Sequence, residues 1–281
     1  MLFYVFLVLA IAGSAALTYG LGWYAHAAAL WQAPLAALAL FLGLTFVFLL
    51  FFAIAALLVP MGRQQTRRST FYGGLLRAFC GLVFPLAGIH LEVTGLEQLP
   101  PDGNYLLVCN HLSVFDPVLL IRALPRQARL SFVTKQENFD LPVVRQFMHK
   151  LQCLPLDRHD DRQALRAILQ AAKQLQEQPL CMTIFPEGQT SKSGQLLPFR
   201  NGAFKIAQKA GVPIVVCALT NTKAILKNMF RRKTDVYLDV LDVVPASEVT
   251  AHKTTAEIGD HVHKILSEGL AKRGVATAQP S

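Results

Sequence analysis

Two short polar stretches stand out from a chain that is otherwise mostly aliphatic. The first is NHLSVFDP, Asn110 to Pro117, which follows the apolar run YLLVC. His111 and Asp116 are five positions apart, which on an α-helix at 100° per residue sets them about 140° from each other, so they cannot share a helical face. They meet if His111 sits on a strand-to-helix turn and the first helical turn carries Asp116 back toward it. A carboxylate on one imidazole nitrogen fixes the tautomer and stabilises the imidazolium, leaving the other nitrogen as a base for a hydroxyl. The same letters also read as a helix start, because Ser113-x-x-Asp116 is an N-cap pattern with an acid near the positive end of the helix. Pro117 weighs toward the first reading, since a residue before proline is pushed away from helical geometry.

The second stretch is IFPEGQTSKSG, Ile184 to Gly194, again at the end of an apolar run. Glu187, Gly188, three hydroxyls and Lys192 on one loop can present backbone N–H groups and a cation to a phosphate. A plain surface turn is the competing reading. The spacing is not that of a Walker A loop and there is no G-x-G-x-x-G, so nucleotide binding is unsupported. Arg200 and Lys205 follow in LPFRNGAFKIA and read as solvated helix charge more readily than as pocket residues.

These loops need a scaffold, and the surrounding texture supplies one. YLLVCN, LCMTIF and VPIVVCAL are buried-strand runs, and DVYLDVLDVV is a late strand. Between them RQALRAILQAAKQLQEQ places Leu165, Ile168, Leu169, Ala172 and Leu175 on one helical face, and NGAFKIAQKAG reads as a helix closed by Gly211. Strands alternating with helices predict an α/β domain with a mixed, largely parallel sheet flanked by helices.

The N-terminal part is of another kind. No Lys, Arg, Asp or Glu precedes Arg63, so all of the +9 net charge lies beyond it. Leu2 to about Trp23 and Leu30 to about Pro60 are two apolar runs, each long enough as a helix to cross a hydrocarbon core of about 30 Å. The first lacks a basic n-region and is too long for a signal-peptide core, so it reads as an anchor. A transmembrane hairpin and a re-entrant one have the same composition. Arg63, Arg67 and Arg68 follow the second run while the first loop has no Lys or Arg, which predicts a cytoplasmic C-terminal domain. FYGGLLRAFCGLVFPLAGI, Phe71 to Ile89, is broken by Arg77, Gly73-Gly74 and Pro85 and reads as an interfacial helix. The expected organisation is a membrane-anchoring helical hairpin at 1–62, a helical linker at 63–90 and a catalytic domain at 91–281.

Composition narrows the function further. Positive charge is scattered among aliphatics, with no run beyond Arg231-Arg232-Lys233 and no aromatic interleaving, which argues against a nucleic-acid partner. Cys80, Cys109, Cys153, Cys181 and Cys217 form no C-x-x-C pair and lie largely in apolar runs, the pattern of buried free thiols rather than of a metal site.

Taken in order, the two polar stretches resemble the lysophospholipid acyltransferase family, of the 1-acylglycerol-3-phosphate type. The likeness extends from about Val93 to Leu219. The family's His-x4-Asp block is complete as His111 to Asp116, CLPLDR with Arg158 is similar to its second block, FPEGQTS (Phe185 to Ser191) to its third, and VPIV (Val212 to Val215) to its fourth. The resemblance implies acyl transfer from a thioester to the free hydroxyl of a lysophospholipid, most simply 1-acyl-sn-glycerol-3-phosphate giving phosphatidic acid. It implies His111 and Asp116 as catalytic residues, Arg158, Glu187, Gly188 and Lys192 as substrate-binding residues, and an anchor ahead of the domain. No cofactor is expected beyond acyl-CoA or an acyl carrier protein thioester as co-substrate. The expected partners are membrane lipid and an acyl carrier protein. One departure bears on the acceptor: Gln189-Thr190 stands where the family has Thr-Arg, and that Arg helps to grip the acceptor phosphate. A remodelling enzyme with another lysolipid head group, or a non-catalytic lipid-binding scaffold in which NHLSVFD is only a cap, are the alternative readings.

Overall fold

The computed structural model describes the 281-residue chain except for residues 27–28, 63–64, 158–159, 252–253 and 276–281. Two long helices, α1 (Leu2–Gly20) and α2 (Ala29–Leu57), form an antiparallel hairpin whose side chains are largely exposed. Both are long and apolar enough to cross a membrane by length and composition. Without charges or an amphipathic face, such helices have nothing to present to water. Ser14 in α1 donates its hydroxyl to the Ala33 carbonyl at 2.5 Å, tying the pair together.

The hairpin sits on α3 (Thr70–Leu86), whose N-cap Ser69 accepts from the Tyr72 N–H. Phe52 of α2 stacks between Phe79 and Phe147, with ring centroids 4.6 Å away on each side, and the Tyr72 hydroxyl donates to the Ala55 carbonyl at 2.9 Å. Just before α3, Arg68 donates from Nε to the Leu130 carbonyl at 2.7 Å, and burial pulls its pKa down to about 10. One of the arginines that marks the end of the apolar segment is thus also a structural pin. The far end of α3 contributes Cys80 and Phe84 to the core of the α/β domain.

That domain is built on a seven-stranded sheet in the order β1-β7-β6-β2-β5-β3-β4. The strands are β1 (Ile89–Thr94), β2 (Tyr105–Cys109), β3 (Leu130–Lys135), β4 (Leu154–Leu156), β5 (Cys181–Ile184), β6 (Ile214–Thr220) and β7 (Thr234–Val244). All neighbours are parallel except β6 and β7, so β1 and β7 run opposite to the other five. The sheet is mixed and largely parallel, as the alternation of strands and helices predicts. β3 and β4 carry weaker patterns and are additions to the sequence reading.

Both faces are covered, which is why the central strands read as unbroken apolar runs. Along β2, Tyr105, Leu107 and Cys109 join one core cluster and Leu106 and Val108 the other, the period-two alternation of a pleated strand. On the first face lie α3, α4 (Asp116–Ala123) and α5 (Val144–Lys150). On the second lie α6 (Asp161–Glu177), α7 (Lys205–Ala210) and α10 (Thr255–Lys272). Two shorter helices, α8 (Ala224–Asn228) and α9 (Ala246–Ala251), flank β7.

α6 begins at Asp160, whose carboxylate accepts from the N–H groups of Arg162 and Gln163. Its buried face differs from the expected one. Ala167, Ile168, Ala171, Ala172 and Leu175 are buried, whereas Leu165 and Leu169 are each 43% exposed. The small side chains let the helix lie close on the sheet, and this rotates the contact stripe away from the two leucines. Gly211 closes α7 at φ +69°, the left-handed C-terminal position that a side chain would strain. All five cysteines are buried and unpaired. Burial pushes the thiols of Cys80 and Cys181 up to about 12 and that of Cys153 up to about 11.

Candidate active site

β2, β5 and β6 are mutually parallel, and the two polar stretches leave the same end of the sheet, after β2 and after β5. Asn110 fixes where β2 stops. Its side-chain amide donates to the Leu219 carbonyl at 2.9 Å and its carbonyl oxygen accepts from the Leu219 N–H at 2.8 Å. The side chain thereby continues the ladder to β6 by one more rung while freeing the main chain to turn away.

His111 is the first residue of that turn and Asp116 the first residue of α4, with Pro117 behind it. The carboxylate folds back, and Asp116 Oδ2 lies 2.8 Å from His111 Nδ1. The same oxygen accepts from the N–H groups of Leu112 at 2.7 Å and Ser113 at 2.8 Å. Asp116 is fully buried, and α4 has no side-chain cap. Its carboxylate therefore serves the turn and the imidazole, and the simple N-cap reading does not hold. With Nδ1 donating to the carboxylate, Nε2 carries the lone pair. The ring is stacked on Phe185 at 4.2 Å with an interplanar angle of 18°, so it is fixed in plane as well as in tautomer. Its side chain keeps 20% of its surface exposed, enough to meet a reactant.

Glu187 completes the arrangement in a way that the sequence did not foretell. It is 4% exposed, and both carboxylate oxygens accept from backbone: Oε1 from the His111 N–H at 2.7 Å and Oε2 from the Leu197 N–H at 3.1 Å. Burial pushes its pKa up to about 7, against the pull of these two donors and with a further push from the Asp116 charge. Its contacts are those of a positioning group that ties the β2 and β5 loops together. A second tie runs from the Ser191 N–H to the His111 carbonyl at 2.8 Å.

Gly188 turns the loop at φ +71° and its N–H is already held by the Phe185 carbonyl at 3.0 Å. Ser191 organises the remainder of the loop, donating to the Gln195 carbonyl at 2.6 Å and accepting from the Gly194 N–H at 3.0 Å. Gln189, Thr190, Lys192 and Arg200 are exposed around this framework. His111, Asp116, Glu187 and Gly188 are thus brought together, and Lys192 lies on the rim. Arg158 lies outside the described residues. Asn110 and Phe185 are positioning residues that motif reading passed over. The signal for the first was a polar residue closing a buried strand. No group of His, Cys, Asp and Glu among the described residues is arranged to hold a metal ion. Chemically, the site offers an oriented general base at the mouth of an α/β sheet, with cations beside it.

Comparison with known proteins bears on the same region. Residues 90–220 match the sequence model of the family described as Acyltransferase. The chain is 29% identical over 197 residues to the 1-acyl-sn-glycerol-3-phosphate acyltransferase of Borreliella burgdorferi, covering 68% of this chain and 78% of that protein. It is 30% identical over 185 residues to the human 1-acyl-sn-glycerol-3-phosphate acyltransferase alpha, covering 65% of this chain and 64% of the human protein. Among solved structures, the 1-acyl-sn-glycerophosphate (LPA) acyltransferase PlsC from Thermotoga maritima shares the fold. The TM-score is 0.65 at 22% identity, over 84% of this chain and 95% of that one.

Proposed function

From the match of residues 90–220 to the acyltransferase family model we propose that this chain acylates the free hydroxyl of 1-acyl-sn-glycerol-3-phosphate, drawing the acyl group from a thioester and yielding phosphatidic acid. The observation that carries the proposal is the His111 Nδ1 to Asp116 Oδ2 contact of 2.8 Å on an imidazole whose side chain keeps 20% of its surface exposed. In this reading Nε2 takes the proton of the acceptor hydroxyl as its oxygen attacks the thioester carbonyl. Asp116 stabilises the imidazolium that results. The tetrahedral intermediate collapses with loss of the thiolate, whose pKa of about 8.5 demands little acid assistance. No covalent acyl-enzyme and no further cofactor is required.

Glu187 acts through the backbone of His111, which places the ring without contacting the acceptor. Arg158, carried over from the family pattern, and Lys192 are assigned to the acceptor's anionic head. The two apolar helices support attachment to the membrane in which such substrates reside. The Arg67 and Arg68 side of the second helix supports a cytoplasmic catalytic domain. Thr190, exposed where the family has Arg, favours a second reading in which the acceptor carries a larger head group. Lys cannot replace the two-pronged contact of Arg. The scaffold reading is disfavoured by the same contact that carries the enzymatic one, since a mere cap does not hold an imidazole.

The test is acyl transfer by the purified chain in mixed micelles, with acyl-CoA and acyl carrier protein donors against a panel of lysolipids. Labelled phosphatidic acid formed from lysophosphatidic acid is the expected product. Transfer to no lysolipid with either donor would refute the reading, and faster transfer to a zwitterionic lysolipid would select the second.

A further inference from the structure

Between Glu187 and Asp235 the chain has no carboxylate side chain but nine lysines and arginines, as many positive charges as its whole net balance of +9. The fold collects most of them at the catalytic end. Lys192 and Arg200 follow β5, while Lys223, Lys227, Arg231 and Arg232 lie in the connection from β6 to β7. The Lys223 ammonium donates to the Lys192 carbonyl and joins the two loops.

Within the β6–β7 connection these cations alternate with apolar side chains that face water. Ile225 and Met229 pack against the core, yet Leu226 is 65% and Phe230 75% exposed. Phe230 also has φ +61°, a conformation that bulky residues rarely adopt. It is held there from its flanks: the N–H groups of Arg231 and Arg232 donate to the Asn228 carbonyl at 2.8 and 3.0 Å, and Arg232 Nε to Asn228 Oδ1 at 2.8 Å. Solvation alone gives no reason to hold an aromatic ring out in this way. Val114, at the tip of the turn after β2, is 72% exposed at the same end.

The hairpin leads to that end too. Ala55 meets Tyr72 and Phe52 meets Phe79, so α2 runs antiparallel to α3, and its residues before Phe48 head toward the place where α3 delivers the chain into β1. β1 starts opposite Thr234, the first residue of β7, beside the end of β6.

We propose that the β6–β7 connection is a second membrane contact. Leu226 and Phe230 enter the interface of an anionic bilayer, and Lys227, Arg231 and Arg232 bind its headgroup phosphates. The apolar side chains form single points around a basic rim and no groove, which suits a fluid surface better than a protein helix. The hairpin secures attachment, and this contact sets the tilt of the catalytic end against the surface.

The test uses the full chain reconstituted in phosphatidylcholine vesicles, with or without phosphatidylglycerol at about a third of the lipid. An environment-sensitive thiol dye is placed at Phe230→Cys, the five native cysteines being buried. A control dye goes at Ser247→Cys, beyond the opposite end of β7. Quenching at position 230 by brominated acyl chains should be at least about twofold greater in the anionic vesicles, with none at position 247. Combining Lys227→Gln, Arg231→Gln and Arg232→Gln should bring it down to the neutral-lipid value while the protein stays vesicle-bound. A dye at 230 that remains in water on anionic vesicles, or that responds equally with and without the three charges, overturns the proposal. So does a dye that responds only to an added acidic carrier protein. None of these readouts depends on acyl transfer.

Discussion

The turn after β2 and the loop after β5 emerge side by side, yet they are made differently. In the turn, Asn110 is clamped to β6, Asp116 holds two backbone N–H groups as well as the imidazole, and His111 is fixed from both its ring and its main chain. In the loop, Ser191 and Glu187 carry the framework while Gln189, Thr190 and Lys192 project from it without being buried. In the proposed reading the chemistry is lodged where the imidazole and the main chain have fixed partners, and acceptor choice where side chains project into solvent. Mutations of the imidazole should act on turnover, those of the buried framework on the fold, and those of the exposed loop side chains on binding and preference.

The largest effect should come from the turn. His111→Ala should lower the acyl-transfer rate by about 10²–10⁴-fold, the usual worth of a general base, with the thermal unfolding temperature in detergent nearly unchanged. Activity within a few-fold of the parent would end the assignment. Next is Glu187→Gln, which turns one acceptor into a donor facing a buried N–H and should cost about 1–3 kcal/mol of stability.

Glu187 also sets a pH dependence. Its folded pKa of about 7 lies above the ordinary 4.5, so the folded state holds this proton more tightly than the unfolded one. Its contribution is fully present below about 4.5 and is lost as pH rises through about 7. Unfolding temperatures at pH 5 and pH 8 should therefore differ in the parent and converge in Glu187→Gln; an unchanged gap would remove Glu187 from the account.

Smaller effects should follow at the residues assigned to the acceptor. Arg158→Lys should raise KM for the lysolipid more than it lowers kcat, the pattern of lost uniform binding. Thr190→Arg should leave stability within about 0.5 kcal/mol and shift competition between two lysolipids toward lysophosphatidic acid. If Thr190→Arg instead depresses kcat as His111→Ala does, the division between the two regions fails.

Much of this was legible before any coordinates. The angle between His111 and Asp116 on a helix forbade a shared face, which left the back-folding turn as the way for them to meet. The runs that became β2, β5 and β6 are buried on both faces and announce themselves by continuous hydrophobicity. β3 did not, because Ser131, Thr134 and Lys135 interrupt the apolar run of LSFVTK, and it takes its identity from pairing with β5, far away in the chain. The face of α6 was misjudged because leucine outranks alanine in a periodicity argument, whereas close packing on a sheet favours the smaller residue. The resemblance made Glu187 a substrate-binding residue. That it receives N–H groups from positions 76 and 10 residues away is a property of the assembled loops.

The pairing of the first strand with the last has a consequence for how the molecule is made. β1 finds its neighbour only in β7, and His90 and Asp235 across that pair are separated by 145 residues. At about 5–20 residues per second a ribosome needs on the order of ten seconds to bridge that interval. Until β7 is made, β1 has no neighbour, and β6, once made, offers an open edge on the nascent chain. Folding is therefore staged: the helical hairpin is complete in the chain before the sheet can close. A chain that ends short of Thr234 leaves β1 without its neighbour and β6 with an open edge, an intermediate prone to strand addition.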